Sequence, residues 1–132
     1  MLSWFRRKPL FHAESVALNY SNLGVAERWW ADVLGCKRVE LPDWDDPLPS
    51  DVAMRFAGSE EPSILLSDRL EVEQAGYERP NQRHMIWTSN LDNALQELQG
   101  RGASSGEIQT GRVRFFELRD PEGNVLELCE DA

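Results

Sequence analysis

The sequence predicts an α+β fold built from two copies of a βαβββ unit, and three observations carry that reading. Ser21-Asn22-Leu23 recurs as Ser89-Asn90-Leu91, 68 positions later in a chain of 132 residues. A run of extended character precedes each copy, and a pattern of helical spacing followed by three strand-like runs comes after it. A repeat at fixed spacing is read first because it sets the architecture that every later assignment must fit. The third observation is the end of the chain. There Phe115–Leu118 and Val125–Leu128 flank Asp120-Pro121-Glu122-Gly123-Asn124, with Pro121 presetting φ at the second turn position. Gly123 and Asn124 tolerate the left-handed conformation that closes such a turn.

Each element then has its own reason. Glu14–Tyr20 alternates as a strand should, and Asn22 is a good helix N-cap because its short side chain can accept from the first turn. Leu23, Ala26, Trp30, Val33 and Leu34 fall on one helical face, and Gly35 is a natural stop. The strands Cys36–Leu41, Val52–Ala57 and Ser63–Ser67 follow, the last two joined through Gly58–Pro62. Arg69–Asn81 is polar and punctuated by Gly76 and Pro80, so it reads as a linker. In the second half, Gln82–Thr88 is the first strand, and Leu91, Ala94, Leu95 and Leu98 make the buried face of a helix ending near Gly100 or Gly102. The closing strands are Ser105–Gln109, Arg112–Leu118 and Val125–Cys129. The expected organisation is a tail at 1–11 and one domain at 12–130, with modules at about 13–68 and 82–130 and a linker at 69–81.

Composition narrows the function classes. The net charge is −9, and residues 12–132 carry 11 basic against 23 acidic side chains, a balance that argues against a nucleic-acid surface. No run is long and apolar enough to span a membrane, and nothing resembles a secretory leader. The head, with Trp4 and Phe5 beside Arg6, Arg7 and Lys8, is too short for a stable amphipathic anchor and reads as a loosely docked terminus. Cys36 and Cys129 suit two reduced thiols better than a disulfide framework or a zinc knuckle. The expected location is the cytoplasm. No nucleophile constellation, phosphate loop or dinucleotide motif is present.

What remains chemically conspicuous is Glu127. Alternation places it with Val125 and Cys129 on one strand face, either solvated or part of a site. Five tryptophans supply aromatic surface: Trp30 is core by spacing with Trp29 beside it, and Trp44 sits in an acidic, proline-rich loop, Pro42–Pro49, of the stiff kind that often binds ligands.

A duplicated βαβββ unit ending in Asp-Pro-Glu-Gly-Asn-x-x-Glu resembles the vicinal oxygen chelate superfamily, which includes glyoxalase I, extradiol dioxygenases and bleomycin-type resistance proteins. Asn22-Leu23 through Trp29-Trp30 to Val33-Leu34-Gly35 is similar to that group's first helix, and Phe116–Leu128 to its closing hairpin. The resemblance covers residues 12 to 130 and implies a curved, cup-like mixed sheet. It says little about activity, since the fold hosts lyases, isomerases, dioxygenases and metal-free binders. In that group a divalent metal sits in the cup, held from the first strand of each half and from the last strand. Carried over by position, the last-strand ligand falls on Glu127, the first-strand ligands on Ser15 and Arg83, and an optional fourth near Leu65.

Serine is a poor replacement for histidine, and a guanidinium repels a divalent ion. A one-residue slip would turn His84 to the cup instead of Arg83, but the spacing of Leu91, Leu95 and Leu98 favours Arg83. In that register Met85 and Trp87 share its face, and Arg83 can pair with Glu127. His12 points away and belongs with the tail. The resemblance therefore implies a ligand site drawn from Ser15, Arg83, Met85, Trp87, Trp44 and Glu127, with no metal favoured and no catalytic residue assigned. The ligand expected there is a small organic molecule, cationic or aromatic. The alternative is a divalent-metal-dependent lyase, isomerase or extradiol-type dioxygenase with His84 and Glu127 as ligands. A third reading keeps the fold for association alone. A homodimer is expected, because open sheets and helix faces need covering.

Overall fold

The computed structural model describes residues 11–131. The basic-aromatic head and most of the expected tail lie outside them. Module one runs β1 (Val16–Tyr20), α1 (Leu23–Asp32), β2 (Lys37–Val39), β3 (Val52–Arg55) and β4 (Ile64–Asp68). A short helix, α2 (Arg69–Gln74), follows. Module two then runs β5 (His84–Thr88), α3 (Leu91–Gly100), β6 (Ser104–Ser105), β7 (Gln109–Thr110), β8 (Arg114–Arg119) and β9 (Val125–Glu130).

The duplication is visible in the sheets. One has the order β1-β4-β3-β2 and the other β5-β9-β8-β6, with β7 also on β8. In each, the first strand lies parallel to the last, and the remaining pairs are antiparallel. Asn22 and Asn90 begin equivalent helices, each side chain accepting from the amide three residues on, at 3.2 and 3.0 Å. That bond satisfies one of the orphan donors of a helix start. Gly35 and Gly102 follow the helices with φ of 70° and 80°, so a side chain at either would be strained.

Strand alternation decides what is buried. Val16, Leu18 and Tyr20 face inward with Ile64 and Leu66, and Ile86 does so with Phe116, Leu118, Leu126 and Leu128. Both sets join the helix residues Ala26, Trp30, Leu91, Ala94 and Leu98 in one core. The indole N–H of the fully buried Trp30 donates to the Tyr20 hydroxyl at 3.0 Å, so its polar atom is not stranded.

Three local expectations change. Residues 69–74 are α2 rather than linker, because the Asp68 side chain caps the helix by accepting from the Glu71 amide at 3.1 Å and Val72 is buried. A single buried residue in a six-residue helix, with Leu70 left exposed, gives no periodic pattern to detect. The strand expected over 105–109 is split into β6 and β7, with Gly106 between them donating its amide to Glu117 O at 2.8 Å. Phe11 and His12 belong to the fold rather than to the tail. Phe11 is in the core, and His12 exchanges two backbone bonds with Trp87, at 3.0 and 2.7 Å.

The Asp120–Asn124 turn joins the modules. Asp120 accepts from the amides of Glu122 and Asn124 and from the Asn124 side chain. Glu122 reaches module one, where its carboxylate accepts from the Ser21 amide and hydroxyl and from the Asn22 amide at 2.9–3.0 Å. Partial burial by itself would raise the Glu122 pKa. The two amides, the hydroxyl and the nearby Arg69 outweigh it and hold the group below the usual carboxylate range.

A carboxyl group depressed in the folded state stabilises the protein above its unfolded pKa and loses that contribution as pH falls through the folded value. Glu122→Gln is therefore expected to cost roughly 1.5–3 kcal/mol at neutral pH, the range for hydrogen bonds to charged groups. The difference from the unmodified protein should close in acid, below about pH 4. Urea unfolding at pH 7 and in acid checks this, and an equal deficit at both would show that the ionised form is not what holds the turn.

Candidate functional site

Two surfaces gather the residues of interest. The first is a groove over the exposed side of β1 and β4. One compartment, about 370 Å³, is lined by Glu14, Ser15, Ala17, Trp44, Glu61 and Leu65 among others. A second, about 220 Å³, is lined by Ala17 and Leu65 again, with Asn19, Val72, Arg79 and His84. The compartments adjoin each other, with Ala17 and Leu65 common to both linings. Alternation explains the floor: Val16, Leu18, Ile64 and Leu66 go to the core, leaving Ser15, Ala17 and Leu65 for the open side.

The walls come from outside the strands. Half-buried Trp44, from the loop before β3, closes one end, and α2 and the following segment close the other through Val72, Arg79, Pro80 and Gln82. Among the described residues, β1 has no strand neighbour other than β4. The Asn81 side chain fills that role, accepting from the Asn19 amide and donating to the Asn19 carbonyl, each at 2.8 Å. Asn19 Nδ2 donates to the Arg79 carbonyl, and Asn81 also donates to the Asn124 side chain at 3.0 Å.

The second surface is the outer side of the module-two sheet. Glu117 and Glu127 stand directly opposite each other on β8 and β9, and Met85 is the partner of Glu127 on β5. Arg83 answers the two carboxylates, its Nη1 lying 2.7 Å from Glu117 and 3.2 Å from Glu127. Hydrogen bonding to Glu127, then to Glu117, raises the pKa of the guanidinium further. Like charges directly opposite on neighbouring strands repel, so this cation is what lets both acids face the same way.

The sequence-derived candidates thus divide. Ser15 and Trp44 line one compartment of the groove. Arg83, Met85 and Glu127 meet on the module-two sheet. Trp87, half-buried, is tied through its backbone to His12. His84 pairs with Leu126 on the ladder, one residue out of phase with Met85 and Glu127, so His84 and Glu127 take opposite faces of the sheet. Its Nε2 contacts the Ala17 carbonyl at 3.2 Å. A carbonyl only accepts, so this nitrogen carries the proton.

Three contributors escaped the sequence reading. Glu117 was findable, because a turn closed between Asp120 and Asn124 puts residues three before and three after it opposite one another. Glu14 and Glu61 had no such signal, because they flank strands and depend on the fold to meet Trp44. Of the positions that the resemblance assigns to a metal, Ser15 and Leu65 are weak or empty donors and Arg83 is a fixed cation already bonded to Glu127. That set does not fit a divalent ion. Among the described residues, no three His, Cys, Asp or Glu side chains are grouped so as to hold one.

The model of the glyoxalase-like domain family matches residues 15–129. The chain belongs to that family. Solved structures agree on the fold of this glyoxalase-like domain. A member of the glyoxalase/bleomycin resistance protein/dioxygenase superfamily from Sphaerobacter thermophilus is similar at 20% identity and a TM-score of 0.67, covering 91% of this chain and 97% of that one. TioX from Micromonospora sp. ML1 is similar at 17% identity and 0.68, over 92% and 99%. A lactoylglutathione lyase from Agrobacterium tumefaciens is similar at 19% and 0.68, over 90% and 92%. Such identities show a shared fold and no more. Among curated proteins, no sequence matches. No helix of the described residues is long and apolar enough to cross a membrane.

If Arg83 balances two opposed acids, Arg83→Met should lower the melting temperature of this glyoxalase-like domain at neutral pH. A second change, Glu117→Gln, should restore most of the loss by removing the repulsion. Thermal unfolding of the single and double variants checks this. A double variant no more stable than Arg83→Met would mean that the two acids do not repel.

Proposed function

We propose that this domain binds a small organic cation, flat or aromatic, in the groove over β1 and β4, and does so without a catalytic metal. The observation that carries the reading is the larger compartment, where the Trp44 ring, two carboxylates and an apolar floor of Ala17 and Leu65 line about 370 Å³. That is the scale of small-molecule pockets. An aromatic face attracts a cation, and nearby carboxylates strengthen the attraction. Among the described residues no basic side chain lines the compartment, and the chain carries −9 overall. The ion-paired Arg83 and the weak donors at Ser15 and Leu65 support the metal-free part.

The reading includes a homodimer and a cytoplasmic setting. Met85 is 47% exposed on the module-two sheet, near half-buried Trp87 and Phe115, an apolar strip that a second copy would cover. Both cysteines are free and buried, and burial pushes the Cys36 thiol up to about 12, which suits a structural role in a reducing compartment.

Benzyltrimethylammonium is the simplest probe. Calorimetry should detect its binding and no binding of benzoate, and Glu14→Gln with Glu61→Gln should weaken it about tenfold, equivalent to about 1.4 kcal/mol. Equal binding of cation and anion, or none of either, overturns the reading. For the metal, Mn²⁺, Ni²⁺, Zn²⁺ and Fe²⁺ should leave the melting temperature unchanged, because only an ion that prefers the folded state raises it. Stoichiometric metal in protein purified without chelator would instead favour a metal-dependent lyase, isomerase or dioxygenase.

A further inference from the structure

The groove has opposite charges at its two ends. The Trp44 end carries the carboxylates of Glu14 and Glu61. The other end carries Arg79, which lines the 220 Å³ compartment with Gln82, Ser67 and His84. The guanidinium of half-buried Arg79 lies over the Tyr77 ring, 4.4 Å from its centroid. Among the described residues no carboxylate lies within salt-bridge distance of it. Stacking holds the cation in place without neutralising it. The other arginines near the groove's ends are engaged: Arg69 with Glu122 and Asn19, and Arg55 with the Ser59 carbonyl.

A half-buried arginine without an anionic partner, at the wall of a cavity, is set to receive an anion. Its position is fixed from two sides. The Arg79 carbonyl accepts from Asn19, and the next-but-one residue, Asn81, is bonded to both backbone groups of Asn19. The segment that presents Arg79 is thereby clamped to β1, the strand that forms the groove floor.

We propose that the groove takes an elongated molecule with a cationic group at one end and an anionic group at the other, the anion being held by Arg79. This rests on the binding reading above and specifies its ligand. The distance follows from the strand: Ser15 lines the acidic compartment and Asn19 the basic one, four residues apart at about 3.3 Å each, so roughly 13 Å. Ala17 and Leu65 lie between them and ask for an apolar middle. A short zwitterion cannot reach both ends, whereas a chain of about ten carbons can.

The test compares 10-aminodecanoic acid, 10-amino-1-decanol, decanoic acid and 4-aminobutanoic acid by calorimetry on the full chain. The long amino acid should bind about tenfold more tightly than the amino alcohol, which differs only at the end facing Arg79. Decanoic acid and 4-aminobutanoic acid should both bind more weakly than the long amino acid. Arg79→Met should erase the preference for amino acid over amino alcohol, and Arg79→Lys should keep most of the preference. Equal affinities of the two long amines in the unmodified protein would overturn the proposal while leaving the cation-binding reading intact, and need no variant that must fold. A preference that survives Arg79→Met overturns it as well. Failure of both long amines to bind would overturn this proposal, while the binding reading stands or falls separately on benzyltrimethylammonium.

Discussion

The arrangement of the molecule depends on one contact, the Glu122 carboxylate set against the start of α1. Two amides and a hydroxyl converge on it from Ser21 and Asn22, and the Asn22 amide is a donor that the helix start cannot satisfy internally. The acid comes from the β8–β9 turn of the other module, so a helix end in the first half is completed only when the second half is docked. Asp120, two residues earlier, faces the buried Tyr20 hydroxyl, and both burial and that carboxylate raise the Tyr20 pKa. Asn124, two residues later, meets Asn81. One turn therefore reaches the helix start, the core end of β1 and the segment beside β1.

The groove inherits its shape from this clasp. Its floor is β1, and the free edge of β1 is closed by the Asn81 amide instead of by a strand. Unpaired backbone groups on an exposed edge invite association with other chains, and here one side chain satisfies a pair of them. The same exchange fixes the segment carrying Arg79 and Pro80, which becomes a wall of the groove. Docking of the modules and construction of the groove are thus linked through the Asn81–Asn124 bond, and loosening one should loosen the other.

The sequence disclosed the architecture because its determinants are local and repeated. Asn22 and Asn90 cap their helices, Gly35 and Gly102 end them, and the alternation of Val16, Leu18 and Tyr20 against Ile64 and Leu66 needs only the pleat. Site geometry is different in kind. The approach of Arg83 to Glu127 was accessible because the register of β5 follows from the leucines of α3, and Glu117 could have followed from the turn. Trp44 beside Ser15 could not be deduced, since it depends on a loop without periodicity. α2 and the Arg79 wall were hidden for a related reason. A helix with one buried residue, Val72, and a polar segment held by side-chain amides look the same in sequence as a solvated linker.

The two surfaces show how a fold that can host a metal can hold charge without one. On the module-two sheet, opposed acids need a cation, and a guanidinium supplies it with fixed geometry and no loss of charge at any physiological pH. This gives an internally satisfied ion triad, with Arg83 still 58% exposed, and such a triad has little left to offer a ligand. In the groove the charges are left apart, with Glu14 and Glu61 at one end and Arg79 at the other, too distant to neutralise each other. Charges separated along an apolar floor are poorly compensated by the protein itself, and a molecule of complementary polarity lowers their energy most. The contrast between the satisfied triad and the groove supports the proposal that puts ligand binding in the groove and leaves the triad to the scaffold.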